Sequence, residues 1–257
     1  MLFRSSELGI SGAAIAPSLE ELGSLIVLCL YTKAKIDKEK YGLKPVYDGQ
    51  LLIKVLNLSV WSMLHAFISV APWFLFFVAI EHLGKTELAI SNITRSVSAI
   101  FFVIANSFAV TTGSLVSNAI GAGARKELFP ICHKVLKLGY AVGIPLVVVA
   151  LLCNRWIVSF YTDNELLVEL AFAPFVVMLL NYTFALPGYV YLNAVGGTGK
   201  TKITFLFQVT TTCVYLVYLY WLSFCIEASL SLYLTAEYLF VILLALQSII
   251  HLKSKHY

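Results

Sequence analysis

Charge is what this sequence has least of. Its 18 basic and 14 acidic side chains make up 12% of 257 residues, where a soluble domain carries roughly 25%. With 60% hydrophobic residues beside that shortage, an ordinary soluble domain is excluded. At about 20 residues per crossing the length accommodates about seven membrane spans and no separate soluble domain. Metal-ligand spacing is missing too. Cys29, Cys132, Cys153, Cys213 and Cys225 are scattered and odd in number, as free thiols are. No signal peptide is read, because the apolar run after Arg4 is interrupted by Glu20 and Glu21 and lacks a cleavage site. No nucleophile, base and oxyanion set is present, which argues against an enzyme. GGTGKTK has Ala194 where a phosphate-binding loop needs glycine, and no strand precedes it. The patterns NITR, NYTF and NLSV fall inside predicted spans, where no glycosylation takes place. Nothing points to nucleic acid.

What is present reads as an all-α, polytopic membrane protein of about seven transmembrane helices. The expected spans are residues 8–31, 51–84, 86–121, 131–154, 165–195, 203–226 and 230–252. Thr86 is the expected N-cap of the third, with Glu87 in its first turn. Thr162 and Glu165 have capping-box spacing ahead of the fifth, which Pro174 and Pro187 interrupt. The third span carries a surface of small and hydroxyl residues, including Ser98, Ala105, Ala109, Gly113 and Ser117, which invites close approach of another helix.

Threading the spans places most cations on one side, from Lys33, Lys35, Lys38, Lys40 and Lys44 through Arg125 and Lys126 to Lys200, Lys202, Lys253 and Lys255. Arg4, Lys85, Arg95 and Arg155 fall on or toward the other. The positive-inside rule makes the Lys-rich side cytoplasmic, with the C-terminus on it, and a plasma-membrane setting is expected.

Four stretches carry a family resemblance. The run IEHLGKTELAISNITRS followed by GSLVSNAIGAG resembles the seventh-to-eighth helix region of the multidrug and toxic compound extrusion (MATE) transporters. GISGAAIAPSLEE resembles the start of that family's sixth helix, NAVGGTGKTK its tenth-to-eleventh connection, and AEYLF with HLKSK its twelfth helix. The resemblance implies two six-helix lobes around a central cavity, of which this chain looks like the sixth helix and the C-terminal lobe. Residues 1–50 would be a leading transmembrane helix and basic loop, and residues 51–257 the six-helix lobe. It also implies a secondary antiporter exporting amphipathic or cationic compounds, drugs and toxins among them, in exchange for H+ or Na+, with no other cofactor. The implied partners are a small-molecule substrate, the lipid bilayer and the missing N-terminal lobe. A lipid-linked oligosaccharide flippase of the same superfamily and a non-transporting half are the alternatives. Where some family members carry carboxylates in the seventh and tenth helices, this chain has Ser69 and Ala185. Coupling through that pair is therefore not expected.

The candidate coupling residues are acids predicted within spans. Glu20, Glu21 and Glu237 can trade a proton for a cation if desolvated, the plainer role of each being a structural hydrogen-bonded group. Arg95 is expected to be counter-ion to Glu87 or Glu81, or else to meet an anion in a cavity. Ser69, Asn92, Asn181 and Tyr182 are candidate cavity-lining residues, and Asn118 and Gln208 can also supply hydrogen bonds. Phe74, Phe76, Phe77, Phe101 and Phe102 can form an aromatic wall for a cation, or simply pack. His65 is a possible protonation site, though a lone histidine on an apolar helix more often packs.

Overall fold

The computed structural model describes residues 9–35, 47–226 and 228–254, with side chains from Ser18 onward. Arg4, Lys38, Lys40, Lys44 and Lys255, all named above, lie outside these. The chain divides into two compact units, Met1–Leu52 and Ile53–Tyr257. The first contains α1 (Gly9–Lys35) and the opening turn of α2 (Gly49–Ile80). The second holds the rest of α2, then α3 (Lys85–Gly121), α4 (Leu128–Leu152), α5 (Asn154–Ser159), α6 (Glu165–Leu170), α7 (Phe172–Leu180), α8 (Tyr182–Gly197), α9 (Thr201–Cys225) and α10 (Leu230–Ser254). No strand occurs among the described residues.

Six stretches are long and apolar enough to cross a membrane: Gly49–Leu83, Lys85–Gly121, Arg125–Leu152, Glu165–Gly197, Thr201–Cys225 and Leu230–Ser254. These correspond to six of the expected seven; the first expected span, residues 8–31, lies partly outside the residues whose side chains are described. α1 is helical through that first expected span, with side chains described from Ser18 onward. Large apolar side chains face outward all round, Phe67, Phe74, Leu152, Val217 and Phe224 each by more than two-thirds of their surface. Water would penalise such a surface and acyl chains do not.

Three expected helix boundaries are revised. The third span starts at Lys85, with Gly84 in the capping position at φ 118° and no side-chain cap, so Thr86 is already inside the helix. Ahead of α6 the cap is Asn164, whose side chain accepts from the Leu166 amide at 3.0 Å, while Thr162 Oγ1 accepts from the Asn164 amide at 3.2 Å. The predicted fifth helix is three helices, broken at Ala171 and Asn181 rather than at its prolines. Pro187 sits inside α8, where it has no N–H to offer the Thr183 carbonyl. Tyr140 of α4 supplies that bond instead, donating to Thr183 O at 2.7 Å. The reciprocal contact is Tyr182 of α8 donating to Gly139 O of α4 at 2.8 Å. Two tyrosines thus tie α4 and α8 together, and the carbonyl freed by proline is satisfied as an apolar surrounding demands.

α8 is the hub. It packs most extensively on α3 and α10 and also touches α4 and α9. Glycine makes this closeness possible. A Cβ on Gly197 would stand 2.5 Å from Gly113 O of α3, and one on Gly188 would stand 2.7 Å from Val241 O of α10. Across the α3–α8 seam Ser117 donates to Gly197 O at 2.8 Å. The small-residue surface read in the sequence is therefore a helix-packing face. Val116, Ala109 and Ala105 are fully or almost fully buried along it.

Backbone cannot step aside as a flexible side chain can, so Gly188→Ala and Gly197→Ala each cost about 1–3 kcal/mol. Thermal unfolding of the purified protein in detergent should show a lowered midpoint for both. An unchanged midpoint for Gly121→Ala, whose Cβ would meet nothing within 4 Å, is the control.

Candidate functional site

The charged centre of the Ile53–Tyr257 unit lies where α2, α3, α7, α8 and α10 line one cleft. Arg95 projects from α3 and is 2% exposed. Its Nη2 donates to Glu237 Oε1 of α10 at 2.5 Å, and Tyr215 of α9 donates to the same oxygen at 3.1 Å. Glu237, not Glu87 or Glu81, is therefore the counter-ion of Arg95. The expected partners near the helix start are about two to four turns away and more exposed, whereas α10 brings a carboxylate 142 residues distant against the guanidinium. A charge this deep in apolar surroundings persists only when paired.

Aromatic rings complete the enclosure. The Arg95 guanidinium carbon lies 4.0 Å from the centroid of Phe76, 4.8 Å from Trp73 and 5.4 Å from Phe77, all on α2. Of the five phenylalanines named as a possible aromatic wall, Phe76 and Phe77 lie against a cation, the protein's own guanidinium. Phe76 is fully buried in this role, while Phe74 faces outward.

The cleft itself is narrow, with room of about 50 Å³. Around Arg95 and Glu237 it is lined by Trp73, Ser98, Phe101, Phe102, Ala105, Met178, Asn181, Tyr182, Ala185 and Tyr189. Of the residues singled out in the sequence, Arg95, Glu237, Asn181 and Tyr182 come together here. Asn181 closes α7 and Tyr182 opens α8, so the helix break delivers both side chains to the cleft. Ser69 and Asn92 do not line it. Ser69 Oγ is turned back to Ala66 O at 2.7 Å, and Asn92 stands exposed on the opposite side of α3 from its buried neighbours. Ala185 lines the cleft, so the position without a carboxylate is a real part of its wall. Glu20 and Glu21 are exposed side chains of the first unit.

Sequence reasoning assigned no site role to Tyr215, Tyr189 or Trp73. The signal was faint in each case: an aromatic within a span looks the same whether it meets lipid or a charge. Several polar atoms in the region lack a partner among the described residues, namely Arg95 Nε and Nη1 and Asn181 Oδ1.

A second, wider cavity of about 570 Å³ opens between α2, α3, α8 and α9. His65, Ser114, Asn118 and Asn193 line it, and no formal charge does. Most of its hydroxyls are occupied: Ser117 donates to Gly197 O, Thr201 to Leu58 O and Thr204 to Thr201 O.

Residues 62–222, more than half of the chain, match the sequence profile of the MatE family. An uncharacterized transporter of Schizosaccharomyces pombe is 31% identical over 100 residues, which is 38% of this chain and 19% of that protein. Among solved structures, a MATE in complex with MaL6 matches with a TM-score of 0.76 at 17% identity, over 97% of this chain and 56% of that one. A MATE in the bent conformation matches with a TM-score of 0.70 at 18% identity, over 79% and 45%. A MOP superfamily transporter from Pyrococcus furiosus, whose binding pocket is described as of reverse polarity, matches at 0.64 and 17%, over 77% and 43%. The chain spans about half the length of these solved relatives.

Removing one member of the buried ion pair leaves the other unpaired, so Glu237→Ala should destabilise the protein by about 3–5 kcal/mol. The double variant Arg95→Met with Glu237→Met should recover most of that loss. Unfolding midpoints of the two proteins in one detergent provide the comparison.

Proposed function

This chain belongs to the MatE family, and on that premise we propose that it works within a secondary antiporter exporting small amphipathic or cationic compounds in exchange for H+ or Na+. Its relatives are transporters, and six apolar helices make it a multi-pass membrane protein. The observation that carries the proposal is the Arg95–Glu237–Tyr215 centre inside an aromatic-lined cleft. Polar and charged groups kept within membrane helices despite their cost belong to transport pathways and relays.

Glu237 is the coupling group in this reading. Ser69 and Ala185 bring no carboxylate, and Glu237 is the acidic side chain that lines the cleft. Protonation removes its charge, releases the Nη2 of Arg95 and unbalances the stack on Phe76 and Trp73. Ionised and protonated Glu237 thus favour two packings of α2, α3 and α10, which is the bistable element that exchange requires. Glu20 and Glu21 are the alternative acids. The second wall of the substrate path would come from an N-terminal lobe as partner. The lysine-rich side and the C-terminus face the cytoplasm of a cell whose plasma membrane holds the protein. The chain performs no covalent chemistry in this scheme and needs no cofactor beyond the coupling ion.

The unpaired nitrogens of Arg95 favour one second reading, a flippase for lipid-linked oligosaccharide. The cleft's room of about 50 Å³ is small for such a substrate.

The test is gradient-driven movement of a fluorescent organic cation in vesicles carrying the full chain. An imposed pH or Na+ gradient should drive dye movement, and dissipating it should stop that movement. Glu237→Gln should abolish coupling, while Glu20→Gln with Glu21→Gln leaves it intact. Dye movement indifferent to either gradient in the wild type removes the antiport reading.

A further inference from the structure

We propose that the Arg95 cleft holds a short file of water molecules, tethered by Arg95 and Asn181, along which Glu237 takes up and gives back a proton. This rests on the reading of Glu237 as the coupling group and adds the route of its proton, with Asn181 as a positioning residue.

Arg95 and Asn181 both line the cleft and are 2% and 8% exposed. Yet Arg95 Nε and Nη1 and Asn181 Oδ1 have no partner among the described residues. Only Nη2 of the guanidinium is engaged, by Glu237 Oε1. Tyr215 donates to that same oxygen, which leaves Glu237 Oε2 without a donor among the described residues. Buried polar atoms are costly to leave unpaired, most of all on charged groups.

Sign and size select the occupant. An anion would answer the two guanidinium nitrogens and be repelled by the carboxylate, whereas a cation would answer the two oxygens and be repelled by Arg95. Water donates and accepts, so it serves all four atoms at once. Room of about 50 Å³ suits about three or four water molecules at about 10–15 Å³ each. It is too little for an exported organic compound, so the cleft serves the coupling ion and not the cargo.

Among the described residues, the charged and titratable groups around Glu237 are Arg95 on α3, Tyr182 and Tyr189 on α8 and Tyr215 on α9. Tyr182 is committed to Gly139 O. On α10 itself Tyr233 and Tyr238 are turned to Ser223 Oγ and Val177 O. α2 and α7 present Trp73 and Met178 to the cleft, neither of which titrates. Trp73 and Phe102 are the most exposed lining residues, so the file meets solvent beside them. On protonation the water next to Oε2 loses a proton as an O–H bond forms on the carboxylate. Each water behind it gives one proton forward and takes one from the next, the last from solvent. The file ends as neutral water, and the reverse order returns the proton.

The experiment uses the full chain in lipid nanodiscs and takes two readings. The first is radiolytic hydroxyl labelling after rapid mixing with oxygen-18 water, which marks side chains beside retained water. Met178 lines the cleft and is almost fully buried, yet it should be labelled from retained water. Asn181→Leu should lower that labelling about threefold or more. The second reading is the rate at which the protonated-carboxyl infrared band appears after a drop in pH, the band being identified by its loss in Glu237→Gln. Asn181→Leu should slow it about tenfold or more at unchanged final amplitude, while Asn181→Ser, which leaves room for water, keeps most of the rate. A merely structural role for Asn181 would change stability or amplitude and not the rate alone. If Asn181→Leu does not fold, Ala185→Val, which fills the cleft from α8, provides the same comparison. Wild-type rate and labelling in the folded variant overturn the inference. So does Met178 labelling that falls when Na+ replaces K+, the mark of a bound cation in place of water. Neither reading needs a gradient or a dye, so failure here separates from failure of antiport. Asn181-dependent proton exchange without gradient-driven flux keeps the water file and removes antiport, and flux with a wild-type rate in Asn181→Leu does the reverse.

Discussion

A charge without water must be answered by the protein, and that requirement organises the lobe. Arg95 is almost fully buried on α3. Its position forces α10 to present Glu237, α9 to present Tyr215 and α2 to lay Phe76, Phe77 and Trp73 over the guanidinium. Four helices distant in sequence are thereby held in register by one side chain. Apolar packing alone would not do this in a membrane, since lipid tails are as apolar as leucine and supply no comparable preference.

Around that centre, closeness of backbone takes the place of the hydrophobic effect. α8 meets α3 at Gly197 and Gly113 and meets α10 at Gly188, and a side chain on Gly197 or Gly188 would collide with a facing carbonyl. Tyr140 and Tyr182 complete the frame by bonding to carbonyls of the facing helix, one of them released by Pro187. The break between α7 and α8 then serves the cleft directly. It places Asn181 and Tyr182 at a helix junction whose side chains turn toward Arg95. Support and site are therefore the same residues, so a change in the Arg95–Glu237 pair is felt by every helix that lines the cleft.

Much of the helical plan was legible because membrane helices announce themselves by length and apolarity. The last two spans read from the sequence nearly coincide with Thr201–Cys225 and Leu230–Ser254. Caps were less legible. Thr86 and Thr162 have the right chemistry, yet Gly84 and Asn164 occupy the capping positions, because a cap depends on backbone angles that residue type only biases. Glu237, Arg95, Asn181 and Tyr182 were marked singly as polar groups within spans, and each does line the cleft. Ser69 and Asn92 were marked by the same reasoning and do not, since a short polar side chain on a helix can bond its own backbone or face outward at little cost.

By itself the sequence determined the class: too little charge for water, helices long enough for lipid, small residues where helices meet, and motifs that resemble one transporter family. It also determined that Arg95 needed an anionic partner, because an isolated charge in an apolar span is untenable. Only the tertiary structure decided that the partner is Glu237. Helix periodicity governs contacts three or four residues apart, and the choice among acids 8 and 142 residues away belongs to how α3 and α10 cross against α8.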